Sequence, residues 1–293
     1  MKSKYILWVF FLSIPLCISA QSLLDKLEKE QPEIENNTLA TFKANRLSIS
    51  HSVETRKKNT LEISSMNRFW NIENSQQEQL IPDRISSRLG LAYGVTDKLT
   101  IGLGFGFGNP NGVFDTYVKY RLIQQTENDS KPISLTLLQT ATYRANFLNG
   151  VVGRGNSFGE QLAYTSQALL ARKVTRNFSV QIAPTFIHRG SSESSLDDNN
   201  HFALGFGSRY KLTNHVSLVS EYYYVVNRLD SRPTSSPVVF GVNWEVSKVL
   251  LQFKMTNNAA FVEDTFIVQT AKDFNFSNGN FFFGFHAIYH FQL

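Results

Sequence analysis

From about residue 60 onward, apolar and polar positions alternate with period two. Phe281, Phe283, Phe285, Ala287, Tyr289, Phe291 and Leu293 share one face of a strand, and Phe282, Gly284, His286, Ile288, His290 and Gln292 share the other. Successive side chains of a strand point to opposite sides, so one face is almost wholly apolar and the other mixed. The same division recurs at Ile101, Leu103, Phe105 and Phe107 against Thr100, Gly102, Gly104 and Gly106. It recurs again at Phe202, Leu204, Phe206 and Tyr210, and at Phe240, Val242, Trp244 and Val246. No helical pattern follows the last strand to cover its apolar face, and lipid is the expected cover.

The alternation predicts strands over 60–70, 84–94, 98–107, 113–125, 132–144, 162–173, 177–188, 202–211, 215–226, 238–247, 249–257 and 281–292. Their connections are short and long by turns. The short ones fall at Thr96-Asp97-Lys98, 126–131, Thr175-Arg176-Asn177, Thr213-Asn214 and Ser247-Lys248. The long ones fall at 71–83, 145–161, 189–201, 227–237 and 258–280, with Asn109-Pro110-Asn111-Gly112 a short member of that series. Asp264–Ala271 has some strand character, but a thirteenth strand would make the count odd, so it is placed in the last loop. The expected fold is all-β: a transmembrane, antiparallel, up-and-down β-barrel of about twelve strands, with tight turns in the periplasm and long loops outside. A soluble β-sandwich also alternates, but its strands run shorter than the ~9–11 residues a bilayer requires.

The beginning of the chain fits export. Lys2 and Lys4 precede an apolar run from Tyr5 to Ile18, and Ser19-Ala20 supplies small residues before Gln21. Residues 1–20 read as a signal peptide, 21–59 as a periplasmic or lumen-docking segment with a short helix from Ser22, and 60–293 as the barrel. The one cysteine, Cys17, lies in the signal peptide, and Leu16 before it is too bulky for a lipoprotein site. The mature chain then has no disulfide and no thiolate metal site. The net charge of +5 is modest, and an exported chain without a recognition motif gives no support for nucleic-acid binding.

Parity places Arg68, Arg84, Arg88, Lys119, Arg121, Arg144, Lys173, Arg209, Lys211 and Lys254 on inward faces, with fewer inward acids: Glu62, Asp115, Glu221 and Glu245. Cross-lumen ion pairs that stiffen a narrow barrel account for such residues, and a basic lumen favouring anions is the sharper reading. Gly102, Gly104, Gly106 and Gly108 do not make a phosphate loop, because the spacing is wrong and no helix follows. With Gly90 and Gly94 on the neighbouring strand they form a smooth inward patch where residues 38–58 are expected to dock. His286 and His290 stand about 13 Å apart on a strand, too far to share one metal ion. Neither a metal nor any other cofactor is expected.

A lipid-hydrolase barrel, the enzyme alternative, needs a serine, a histidine and an orienting polar group on the lipid-facing rim. His188, Ser166, Ser208 and Ser220 have the required outward parity, but their spacing selects none of them. The long Gly-, Ser- and Asn-rich loops leave a non-enzymatic surface or assembly scaffold as a third class.

The runs Leu23-Leu24-Asp25-Lys26-Leu27-Glu28, Thr41-Phe42-Lys43, His51-Ser52-Val53-Glu54-Thr55, Leu61-Glu62 and Arg68-Phe69 resemble the start of a Bacteroidetes β-barrel family of unknown function. So do Arg88–Leu99, Phe114-Asp115 and Lys119-Tyr120-Arg121-Leu122. The resemblance implies an outer-membrane barrel and carries over no catalytic residue. The expected protein is a monomer in contact with outer-membrane lipid and with the barrel-assembly machinery through its C-terminal strand. It passes or binds small, anionic solutes.

Overall fold

The computed structural model describes residues 40–70, 84–107, 112–145, 157–192, 194–275 and 281–293. The expected signal peptide, the helix from Ser22, the whole of the 71–83 loop and parts of four other long-side connections lie outside the described residues. The barrel strands are β1 (Thr60–Trp70), β2 (Arg84–Gly94), β3 (Leu99–Phe107), β4 (Gly112–Ile123), β5 (Ser134–Ala145) and β6 (Leu162–Lys173). They continue as β7 (Phe178–Arg189), β8 (Asn200–Lys211), β9 (Val216–Val225), β10 (Val238–Val246), β11 (Val249–Thr256) and β12 (Phe282–Gln292). Each strand pairs antiparallel with its chain neighbours, and β1 closes on β12 from Thr60↔Gln292 to Phe69↔Phe283, giving a closed twelve-stranded barrel. Closure leaves no unpaired sheet edge.

Three of the short turns share one device. Thr96 Oγ1 accepts from Lys98 and Leu99 N–H, Thr175 Oγ1 from Asn177 and Phe178, and Thr213 Oγ1 from His215 and Val216. A threonine at the first turn position thus satisfies backbone donors that the ladder leaves over. The tightest connection, Ser247-Lys248, holds Ser247 at φ 56°. On β4 a bulge lies between Arg121 and Ile123, so the strand ends earlier than its pattern predicts.

Outward faces form an apolar, aromatic-rich belt in which Leu103, Phe202, Phe240, Trp244, Phe253 and Phe283 are exposed. Inward faces are buried because two segments occupy most of the lumen. Residues 40–58 fold into a compact plug inside the barrel, turning back on themselves at Leu47–Ser50 through Leu47 N–H to Ser50 O (2.9 Å) and Ser52 N–H to Asn45 O (3.0 Å). From the long-loop side, the loop after β11 descends and forms a short helix, α1 (Glu263–Val268), where the sequence suggested loop or strand. Phe266 and Ile267 of α1 pack with Ile49 of the plug and with Tyr223 and Ile187 of the wall. Phe42, Leu47 and Val53 form a second cluster with Ala92, Tyr117, Leu138 and Leu169. Two segments that enter from opposite ends therefore meet in the middle and build a hydrophobic core.

Candidate functional site

The plug is tied to strands all around the barrel. Lys119 on β4 donates to Asn45 O (3.0 Å), Asn45 Oδ1 (2.7 Å) and Glu54 O. Lys254 and Gln252 on β11 donate to the carbonyls of Ser48 and Leu47. Glu221 on β9 accepts from Ile49 and Ser50 N–H, both at 2.9 Å. Gln181 on β7 accepts from Val53 N–H and donates to His51 O, while Thr136 on β5 donates to Val53 O at 2.6 Å. An irregular loop inside a barrel exposes many backbone groups that water cannot reach. Each left unpaired costs about 1–3 kcal/mol, and these inward polar side chains satisfy them.

Several inward and plug charges form ion pairs. Arg88 binds Asp115 through both Nε (2.8 Å) and Nη2, Arg121 binds Glu54 (2.9 Å) and Lys43 binds Glu245 (3.0 Å). Arg46 reaches Glu263 (3.1 Å), Arg56 approaches Glu62 (3.4 Å), and Arg144 binds Asp264 and Thr265 of α1. The acids that complement the inward bases thus come partly from Glu54 and Asp264, on segments outside the strands, while Glu263 pairs with Arg46 of the plug. Strand parity gives no signal for them.

Several expected positions take different roles. Arg84 is exposed at the long-loop rim rather than lining the lumen. Arg209 is buried and donates to Ser217 (3.1 Å). His286 is buried and bonded to Gln252 (2.7 Å), and His290 is half-buried. The glycine patch is not a continuous docking floor. Only Gly94 abuts the plug's backbone: a Cβ there would fall 2.0 Å from Lys57 O. Gly102 lies under the ring of Tyr117, Gly90 and Gly104 under the guanidinium of Arg88, and Gly106 faces Phe261. The plug instead seats Leu47 on Gly207, and Ser50 is held at β9 rather than near Gly102. Tyr223 covers Gly205 as Tyr117 covers Gly102. In both cases the ring fills the gap left by the directly paired glycine of the preceding strand.

The rim residues do not assemble a catalytic pair. Ser166 donates to Gln139, Ser208 bonds Ser220, and His188 bonds Asn200. Among the described residues no group of three or more His, Cys, Asp or Glu side chains is placed to hold a metal ion.

The plug–helix junction carries the titratable groups outside the strands. His51 is buried, with its ring edge-on to Tyr117 at 4.4 Å and its Nε2 3.6 Å from Glu263 Oε1, beyond hydrogen-bonding distance. Burial, with Arg46, Lys119 and Arg88 adding to it, holds the imidazole well below its ordinary pKa, so it is neutral when docked. Burial raises Glu263, and Asp115 adds to this while Arg46 opposes it. A released plug exposes His51, which then titrates near its ordinary pKa of about 6.5. Docking therefore weakens as pH falls below about 6.5, by at most ~1.4 kcal/mol per pH unit for one proton. Glu263 acts in the opposite sense, since its raised pKa strengthens docking as pH falls toward its ordinary carboxylate range. Comparing His51→Gln with wild type isolates the histidine. Between pH 7.5 and 5.5, wild type should gain protease sensitivity in residues 40–58 relative to the variant, and parallel profiles would refute the assignment.

The family model for the membrane-bound β-barrel domain designated DUF5777 matches residues 42–291, and the chain belongs to this family. The match begins at Phe42, so most of the plug lies within the family domain. No curated protein matches in sequence. Among solved structures, the KdgM porin is similar at 9% identity and TM-score 0.47, covering 79% of this chain and 99% of its own. The NanC porin is similar at 8% identity and TM-score 0.48, covering 80% and 100%.

Proposed function

We propose that this chain is an outer-membrane β-barrel that passes small anionic solutes when its N-terminal plug leaves the lumen. One observation carries the reading: oxygen atoms of the plug occupy the places that an anion's oxygens would take on the wall cations. Lys119 holds two carbonyls and an amide oxygen, Lys254 a carbonyl and Arg121 a carboxylate. Withdrawal of the plug uncovers these donors together. The bare wall then carries Arg68, Arg88, Lys119, Arg121, Arg209 and Lys254 against Glu62, Asp115, Glu221 and Glu245, a net positive field that selects for anions. Lipid covers the exposed apolar belt. The Gram-negative outer membrane, the Bacteroidetes source, the monomeric state and assembly through β12 all belong to the same reading. The dispersed pairing of His188 and the rim serines supports a non-enzymatic protein.

Ion selectivity of the opened barrel tests the proposal. Protein lacking residues 40–58 should show a reversal potential on the anion-preferring side under a salt gradient. Lys119→Gln with Arg121→Gln should move it toward cation preference. The preference should fade toward 1 M salt, where the screening length is about 3 Å. A cation-selective or non-selective pore at low salt would overturn the reading.

A further inference from the structure

The plug does not fill the whole interior. At the long-loop end, between β2–β5 and the loop that carries α1, lies a cavity of about 170 Å³. Its walls are mostly apolar, from Val113, Ala260, Phe261 and Val262, and its polar lining includes Ser86 and Arg144. An apolar cavity of about 150 Å³ accepts one benzene ring, so this one admits a single six-membered ring with a small substituent.

The polar edge indicates the substituent. Arg144 gives Nη2 to Asp264 and Thr265 of α1, while its Nε has no hydrogen-bond partner among the described residues. Ser86 Oγ is also buried without one. Ser86 is buried and the Arg144 side chain is 11% exposed. Both are left with a donor to spare, and a buried polar group without a partner costs about 1–3 kcal/mol. The remaining arginine at the edge, Arg88, is engaged in its two bonds to Asp115, which neutralises that acid. The missing group is therefore an acceptor, and beside an arginine the favoured acceptor is a carboxylate. A few polar groups on an otherwise apolar wall is the usual make-up of a small-molecule site.

We propose that this cavity binds a small monocarboxylic acid with a single-ring or compact aliphatic body. The ring sits among Val113, Phe261 and Val262, and the carboxylate lies at Arg144. Because Arg144 also holds α1, and α1 abuts the plug through Ile49, the ligand would sit against the segment that seals the lumen. Occupancy does not require the barrel to conduct, so the site stands or falls separately from the channel reading.

The test is equilibrium binding of benzoate to the purified full chain in lipid nanodiscs at pH 7.5, with acetate and inorganic phosphate as comparison ligands. Benzoate should bind at least tenfold more tightly than acetate or phosphate. Gly106 lines the cavity, and a Cβ there meets only ordinary contacts, Phe261 at 3.7 Å and Val113 at 3.8 Å. Gly106→Leu should therefore fill the space in a folded barrel and abolish benzoate binding. Arg144→Gln should weaken benzoate at least tenfold. No benzoate binding in wild type, equal affinity for acetate, or undiminished binding to Gly106→Leu would each overturn the proposal. Because Arg144→Gln also removes a tie to α1, the Gly106→Leu result decides the question if that variant misfolds.

Discussion

Leu103→Arg will destabilise the barrel by about 2–4 kcal/mol when the protein unfolds from a bilayer. Leu103 stands mid-strand on β3, outward and 57% exposed, between Leu91 on β2 and Thr116 on β4. If lipid covers this belt, the guanidinium has neither water nor a partner there, and Val242→Arg on β10 carries the same penalty. A different outcome is expected at the inward face. Thr136 is fully buried and its hydroxyl holds Val53 O. Thr136→Arg removes that bond and drives a guanidinium into space taken by the plug. The plug should leave while the wall strands stay paired, so proteolysis of residues 40–58 rises without a matching loss in barrel stability. Denaturant unfolding from lipid vesicles, read beside limited proteolysis, separates the two. Equal unfolding costs at Leu103 and Thr136 with the plug still protected would contradict the register and the filled lumen together.

The strands were legible because their pattern repeats. Period-two alternation over eight or more residues, broken by turn residues at Thr96, Thr175 and Thr213, places the strand ends to within about two residues. The interior was much less legible. Parity says that Gly102 and Gly104 face inward but not what fills the space above them. The fillers are Tyr117 on β4 and Arg88 on β2, which lean across from the strands on either side. The plug's seat at Gly207 depends on where the turn at Leu47–Ser50 comes to rest, which no local pattern records. The helix at Glu263–Val268 was hidden for two reasons. Its Phe-Ile-Val run favours a strand, and six residues are too few to display a helical period. Burial of Phe266 and Ile267 against Tyr223 and Ile49 overrides that preference. The partners of the inward bases, Glu54 and Asp264, lie far away in sequence: Arg144 and Asp264 are separated by 120 positions. Arg84 shows a further limit of parity, since a side chain at a strand's rim can have inward parity and still meet solvent.

Deleting residues 40–58 has the largest functional effect expected of any change in this chain. The deletion removes the backbone that Lys119, Lys254, Glu221, Gln181 and Thr136 hold. It also removes Leu47 and Phe42 from the hydrophobic cluster against Tyr117 and Leu138. The wall itself is closed by its own ladder from β1 to β12 and does not pass through the plug. Polar side chains released on the inner wall gain water in exchange for plug atoms, so the wall should remain folded around a wet lumen. Helix α1 then loses its contacts with Arg46 and Ile49 and keeps those with Arg144, Tyr223 and Ile187.

Planar-bilayer recording of the full chain beside the deletion lacking residues 40–58 tests the central claim most directly. The full chain should insert and stay electrically silent at neutral pH, and the deletion should give steady, ohmic, anion-preferring conductance. Steady conductance of the same size from both proteins, with the plug intact in the full chain, would contradict a lumen closed by its own N-terminal segment.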